Sequence, residues 1–301
     1  MALTLGSTAA QAAWYVEPGG SAHTFDSSSE RYELVRESVS KQGVILDTNG
    51  IRGTRSHHSI RTRAGSYEAG GTVVTHPDPV GLDLWLPRIL GGTESADSFP
   101  LAEALPAFGM LFDRVGGTFE YKDCYVNRAT FRGQQGQLVE LEMDIWAAQE
   151  ATGTSAPSVS LGTAANNAPY VFSDGVLTIF SGARTMMDFE CVIDNHLERR
   201  FANSLVATSI TPQDRTVTLR CTTPFTSTEL SALYGTATAG VTGTLVLTNG
   251  GMSTTFTFGV LQLPDRSPNL TSKTEIKLGL EMTARMTGST REIVITHDSV
   301  A

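Results

Sequence analysis

The sequence predicts a mainly β fold in two tandem domains, on three observations. Apolar and polar residues alternate with period two along several short runs, glycine-rich turn signals separate those runs, and one order of landmarks occurs twice. The chain has 301 residues, which suits two domains at about 100–200 residues each. An N-terminal arm is expected over 1–40, a first β domain over 41–148, a linker over 149–168 and a second β domain over 169–301.

The elements follow in chain order. Ser27-Ser28-Ser29-Glu30 reads as the cap of a short helix running through Val39. Strands are expected at 44–46 and 72–74, with a long polar stretch between them. Residues 79–90 carry Leu82, Leu84, Trp85, Leu86, Ile89 and Leu90 and stop at Gly91-Gly92, a helix with its C-terminal glycine. Pro87 inside it is expected to break or kink it. Gly116-Gly117 marks a hairpin before an aromatic strand at Phe119 and Tyr121. From 139 to 147, Val139, Leu141, Met143 and Ile145 alternate with Glu140, Glu142 and Asp144, a strand with one buried and one wet face.

Residues 149–168 are rich in Ala, Thr, Ser and Gly and lack any period, so they read as the linker. Beyond it, strands are expected at 170–172, 189–193, 216–221, 245–247, 256–260, 276–284 and 291–296. Asn249-Gly250-Gly251 is a hairpin signal, and residues 226–234, ending at Gly235, are a second short helix.

The two halves repeat one order. A strand ends in Asp47 or Asp194, with Asn49 or Asn195 close behind. A strand then runs into Pro77 or Pro224, thirty residues after the Asp in both cases. Helix, glycine hairpin and aromatic strand follow, and then Leu141-Glu142-Met143 or Leu280-Glu281-Met282. The alternation is in phase in both copies. A one-residue slip would exchange the buried and wet faces, so the agreement carries weight.

Composition excludes several classes. Charged residues are 18% and apolar residues 40%, a globular balance, and no apolar run approaches the ~20 residues of a spanning helix. Residues 1–14 lack the basic and apolar regions of a secretion leader. Cys124, Cys191 and Cys221 form no CxxC pair and read as buried thiols. The net charge of −9 argues against ordinary nucleic-acid binding, which needs a basic face. Eighteen of the 22 cations are Arg, the cation favoured at interfaces.

No nucleophile elbow, phosphate loop, zinc-protease or calcium-loop pattern occurs, so neither an enzyme nor a metal or cofactor site is predicted. His57-His58 reads as part of a solvated loop. The stretch 48–71 holds Arg52, Arg55, Arg61 and Arg63 against the single acid Glu68. Loops of such length in compact domains tend to be functional, and this one reads as an arm toward a neighbouring subunit.

The run DFECVIDNHLERRFANS from Asp188, continuing through TSITP to DRTVTL, resembles the tail tube, or major tail, proteins of long-tailed phages. So does GTRSHH from Gly53, with GTVV from Gly71 and LWLP from Leu84. The resemblance spans roughly 40–300. It implies that each domain is a small β-barrel or sandwich with one short helix, in a structural virion protein without catalytic activity. It implies rings stacked into a tail tube, assembled in the host cytoplasm, and a duplicated chain whose trimers imitate hexameric rings. By the same resemblance the long loops pack against the adjacent ring, which gives that place to Arg52, Arg55, Arg61, Arg63, Arg199 and Arg200. Its implied partners are further copies of itself, tape measure, tail terminator and tail-tip proteins, with double-stranded DNA as passenger only.

An acidic lumen would let DNA slide, and Glu140, Glu142 and Asp144 are the candidate lumen-facing acids. The competing readings are another virion component, a tail terminator or head decoration, and a β-sandwich carbohydrate-binding module. The last needs exposed aromatic platforms, against which Trp14, Trp85 and Trp146 are dispersed.

Overall fold

The computed structural model describes residues 12–48, 50–51, 53–161, 167–179, 182–227, 240–264 and 275–299. The first half is built from β1 (Ala13–Pro18), β2 (Glu30–Tyr32), β3 (Arg36–Glu37), β4 (Ser40–Leu46), β5 (Arg63–Thr75), α1 (Leu82–Leu90), β6 (Ser98–Pro100), β7 (Phe108–Asp113), β8 (Thr118–Gln134) and β9 (Glu140–Thr152). The second half holds β10 (Gly175–Ile179), β11 (Gly182–Arg184), β12 (Asp188–Asp194), β13 (Glu198–Arg200), β14 (Ser209–Thr211), β15 (Thr216–Pro224), β16 (Val241–Asn249), β17 (Met252–Gln262), β18 (Lys277–Arg285) and β19 (Ile293–Asp298). The fold is mainly β, in large open antiparallel sheets of sandwich-like form rather than closed barrels. The expected second helix lies almost wholly outside the described residues.

The two halves have the same strand order. In the first, hydrogen-bonded neighbours run β2, β1, β7, β8, β9, β5, and then β3 and β4. In the second they run β11, β10, β16, β17, β18, β15 and β12. The sequence landmarks occupy matching places: Asp47 follows β4 and Asp194 ends β12, and both glycine hairpins link the corresponding central strands. Gly250, at φ +62°, opens the two-residue turn between β16 and β17, a conformation that favours glycine. Leu141 and Met143 are buried against β5, as Leu280 and Met282 are against β15. One difference stands out. β9 runs unbroken along β8, whereas β18 pairs with the end of β17 and a separate β19 pairs with its start.

Two pairings cross between the halves. Residues 128–134 of β8 pair with all of β12, and β6 pairs with β19. Apolar residues of both halves share one core, in which Phe131 meets Phe256 edge-on at 5.0 Å. The seam is closed further by Asn195. Its side-chain nitrogen donates to the carbonyls of Ile89 and Val126 at 3.2 and 3.1 Å, and its backbone nitrogen donates to Asn127 O at 2.8 Å.

Several expectations need correction. Residues 30–32 and 36–37 form strands, and no helix runs through Val39: the Asp26 carboxylate accepts from the amide and hydroxyl of Ser28, a local turn that competes with helix capping. Pro87 does not break α1. It costs the helix one amide donor, while Leu82, Trp85, Leu86, Ile89 and Leu90 bury the apolar face and Gly91 N closes the end onto Pro87 O. Residues 149–152 belong to β9 rather than the linker. Residues 170–172 are not a strand: Val171 makes one bridge, to Leu138, and Phe172–Asp174 form a 3-10 turn, with the Asp174 carboxylate accepting from Val171 N. From residue 13 the expected arm is part of the sheet, as β1, and Trp14 stacks on Trp85 of α1 at 5.1 Å.

Candidate functional site

β9, β8, β12, β15 and β18 lie side by side and bring one polar face together across both halves. Period two decides which residues share it. Phe131, Leu141, Met143, Cys191, Ile193, Leu219 and Met282 point into the core, so the intervening residues point out. In register, Glu140, Arg132, Glu190, Arg220 and Glu281 form one row in which the sign of charge alternates at every strand. Arg132 bonds Glu142 at 3.1 Å and Glu190 at 3.0 Å. Arg220 bonds Glu190 at 3.0 Å and Glu281 at 2.7 Å. Arg36 on β3 reaches Glu142 at 3.5 Å and Glu140 at 3.7 Å, and Arg128 holds Asp194 at 2.8 Å. The hydrogen bonds that Arg220 donates to Glu281 and then to Glu190 raise its pKa above its ordinary value. Arg128, Arg132, Glu190, Asp194, His196 and Arg220 line a groove of about 470 Å³ in this face.

Glu140, Glu142 and Asp144 therefore share a face, as their spacing predicts, and all three are engaged. Asp144 accepts from Asn127 Nδ2 at 2.7 Å and from Trp146 Nε1 at 3.2 Å. The arginines between the acids were not apparent in the sequence. Their signal lay in the polar positions of two expected strands, Glu190 and Arg220, but only the register of strands far apart in sequence makes them neighbours.

Exposed ion pairs contribute about 0–1 kcal/mol each. Arg128, Arg132 and Arg220 keep 43–56% of their side-chain surface in solvent, so the ladder adds little stability. Its main effect is on the charge the face presents. The ladder sets four guanidiniums (Arg36, Arg128, Arg132, Arg220) against six carboxylates (Glu140, Glu142, Asp144, Glu190, Asp194, Glu281), and with Asp188, Lys277 and Arg285, which alternation places on the same side, the face has a balance of 6 − 7 = −1.

The two long loops are placed differently. β4 and β5 form a hairpin whose outer part exposes Val44, Ile45, Leu46, Ile51 and Ile60. Arg55, Arg61 and Arg63 lie exposed on it, and among the described residues no carboxylate pairs with them. Arg52 lies outside the described residues. His57 and His58 are exposed in the same loop, and His57 pairs with Asp47 at 3.0 Å. Among the described residues β4 pairs only with β5, whereas its counterpart β12 is covered on its other side by β8.

The second-half loop, 195–213, folds onto the first half. Arg199 lies over the Trp146 ring at 4.2 Å, bonds Glu68 at 3.2 Å and donates to Ala69 O at 2.6 Å. Burial lowers its pKa below the ordinary value. Leu197, Ala207 and Ile210 pack with Ala148 beneath it, and Tyr67 N donates to Leu205 O. Arg200 is exposed on β13. Trp14 and Trp85 are buried and Trp146 is covered by Arg199, so the tryptophans form no open platform for a sugar. Among the described residues no group of three His, Cys, Asp or Glu side chains is arranged to hold a metal. No helix there is long and apolar enough to cross a membrane.

The described residues thus form a repeated β architecture with an open strand edge and a projecting hairpin, the framework of a structural protein. The profile of the phage tail tube protein family matches residues 4–284, and the chain belongs to that family. It is thus a structural component of the virion tail. No curated protein matches the chain.

Proposed function

We propose that three copies close into a ring of six like halves, and that such rings stack into the tube that conducts double-stranded DNA to the host. The observation that carries this reading is the repeated strand order with its internal seam. Half two already sits on half one through β8 and β12, and β4, the counterpart of β12, offers the same edge for the next chain. Head-to-tail contacts of that kind close into a ring when the rotation per half is a sixth of a turn. The hairpin with Val44, Ile45, Ile60, Arg55, Arg61 and Arg63, together with Arg52, reaches the adjacent ring, with Arg199 and Arg200 in the counterpart loop. The face with Glu140, Glu142 and Asp144 lines the lumen. Tape measure, tail terminator and tail-tip proteins complete the assembly, which forms in the host cytoplasm. The protein acts without catalysis.

Electron microscopy of assembled tubes tests this. The averaged cross-section should show six lobes from three chains, with the charged face inward. Six chains per ring, or that face on the outer wall, would overturn the reading.

A further inference from the structure

Arg is the side chain best suited to grip a phosphate, because its planar fork binds two oxygens at once. A surface over which a duplex must slide should therefore contain few arginines, yet the ladder on this one holds four. Bare acids alone would not serve either. Side chains directly opposite on neighbouring strands lie about 5 Å apart, and like charges there destabilise the sheet. The alternating row meets both demands, since each carboxylate has a guanidinium as neighbour and each guanidinium of the row is held on both sides. Arg132 is flanked by Glu142 and Glu190, and Arg220 by Glu190 and Glu281.

We propose that the ladder carboxylates are built-in counterions, which occupy the forks of Arg132 and Arg220 so that these two side chains cannot hold a passing polyanion. This rests on the reading of that face as the lumen wall. Binding to duplex DNA is driven by releasing the ions condensed on phosphates, and each cation that neutralises a phosphate adds about 0.9 to the salt slope. A guanidinium already neutralised by Glu190 and its neighbours releases nothing. The face thus stays net anionic, at 6 − 7 = −1, without placing acids side by side along the row.

The test uses the full chain and a labelled duplex, read by fluorescence anisotropy. The variant Glu142→Gln/Glu190→Gln/Glu281→Gln frees Arg132 and Arg220, leaves Arg36 with Glu140, and turns the balance of the face to 6 − 4 = +2. A control with the exposed Glu33, Glu94 and Glu275 changed to Gln has the same net charge. The ladder variant should gain DNA binding with a log–log salt slope of about −1.8, a loss of about twelvefold between about 50 and about 200 mM salt. The wild type and the control should show no such binding. If the folded ladder variant binds no better than the control, the proposal fails. Should that variant not fold, Glu190→Gln alone decides, since it loosens both Arg132 and Arg220: a salt-sensitive gain over wild type supports the proposal, and none overturns it. The lumen reading fails separately. A ladder on the outer wall in tube cross-sections, with the binding gain intact, removes the passage role and leaves only the masking chemistry.

Discussion

Replacing Asn195 by alanine removes the side chain that joins the second half to the end of α1. Asn195 is 2% exposed, and its Nδ2 serves the carbonyls of Ile89 and Val126. Ile89 lies in the last turn of α1, where carbonyls have no helical donor. Its neighbours find theirs elsewhere: Pro87 O accepts from Gly91 N and Leu90 O from Ala102 N. Alanine leaves two acceptors without that donor. At about 1–3 kcal/mol for each buried group left unpaired, the expected loss is about 2–6 kcal/mol. Urea unfolding followed by tryptophan emission and far-ultraviolet circular dichroism measures it. All three tryptophans lie before the linker, so emission reports the first half and circular dichroism the whole chain. Asn195→Asp should lose more, because it sets a carboxylate against two carbonyls. A loss below ~0.5 kcal/mol in either variant, the size ordinary for surface positions, would refute the reasoning.

Two further outcomes follow from buried ionisable groups. Burial raises all three thiols, Cys191 and Cys221 to about 12 and Cys124 well above its ordinary value. A thiol reagent at pH 8 should leave all of them unmodified in the native chain and titrate three in denaturant; native reaction would contradict their burial. Burial tends to raise the Glu120 carboxyl, but the hydrogen bonds from Thr154 and Lys122 and the charges of Lys122 and His23 outweigh it and hold it below the ordinary 4.5. A depressed carboxyl stabilises the fold above its unfolded pKa, so this contribution is full above 4.5 and is lost as pH falls through the lower folded value. Glu120→Gln should therefore be less stable at neutral pH and lose less on acidification; an unchanged acid limb would count against the cluster.

What could be read from sequence was what depends on near neighbours. The alternation from 139 to 147 is local, and it placed the acids of β9 on one face. The landmark spacing is longer, but it repeats, and the matching strand orders explain why. What could not be read was register between strands remote in sequence. Arg132 and Glu190 are 58 residues apart and meet only through the pairing of β8 with β12. The serines before Glu30 misled because the same side chains that cap helices also close turns, and Asp26 took Ser28 for a turn. The stacking of Trp14 on Trp85 likewise needed the sheet to bring a strand and a helix together.

The seam between β8 and β12 also bears on how fast assembly starts. Joining two like halves in one chain makes their contact intramolecular, at an effective concentration in the millimolar range for short linkers. In the trimeric ring proposed above, half of the joints exist before any two chains meet. Nucleating a ring then costs the translational freedom lost in about two associations rather than about five. Duplication also releases the two joints from having to be identical. The internal one never has to open or choose a partner, so the features that control growth can gather on the other, where β4 still has an open edge.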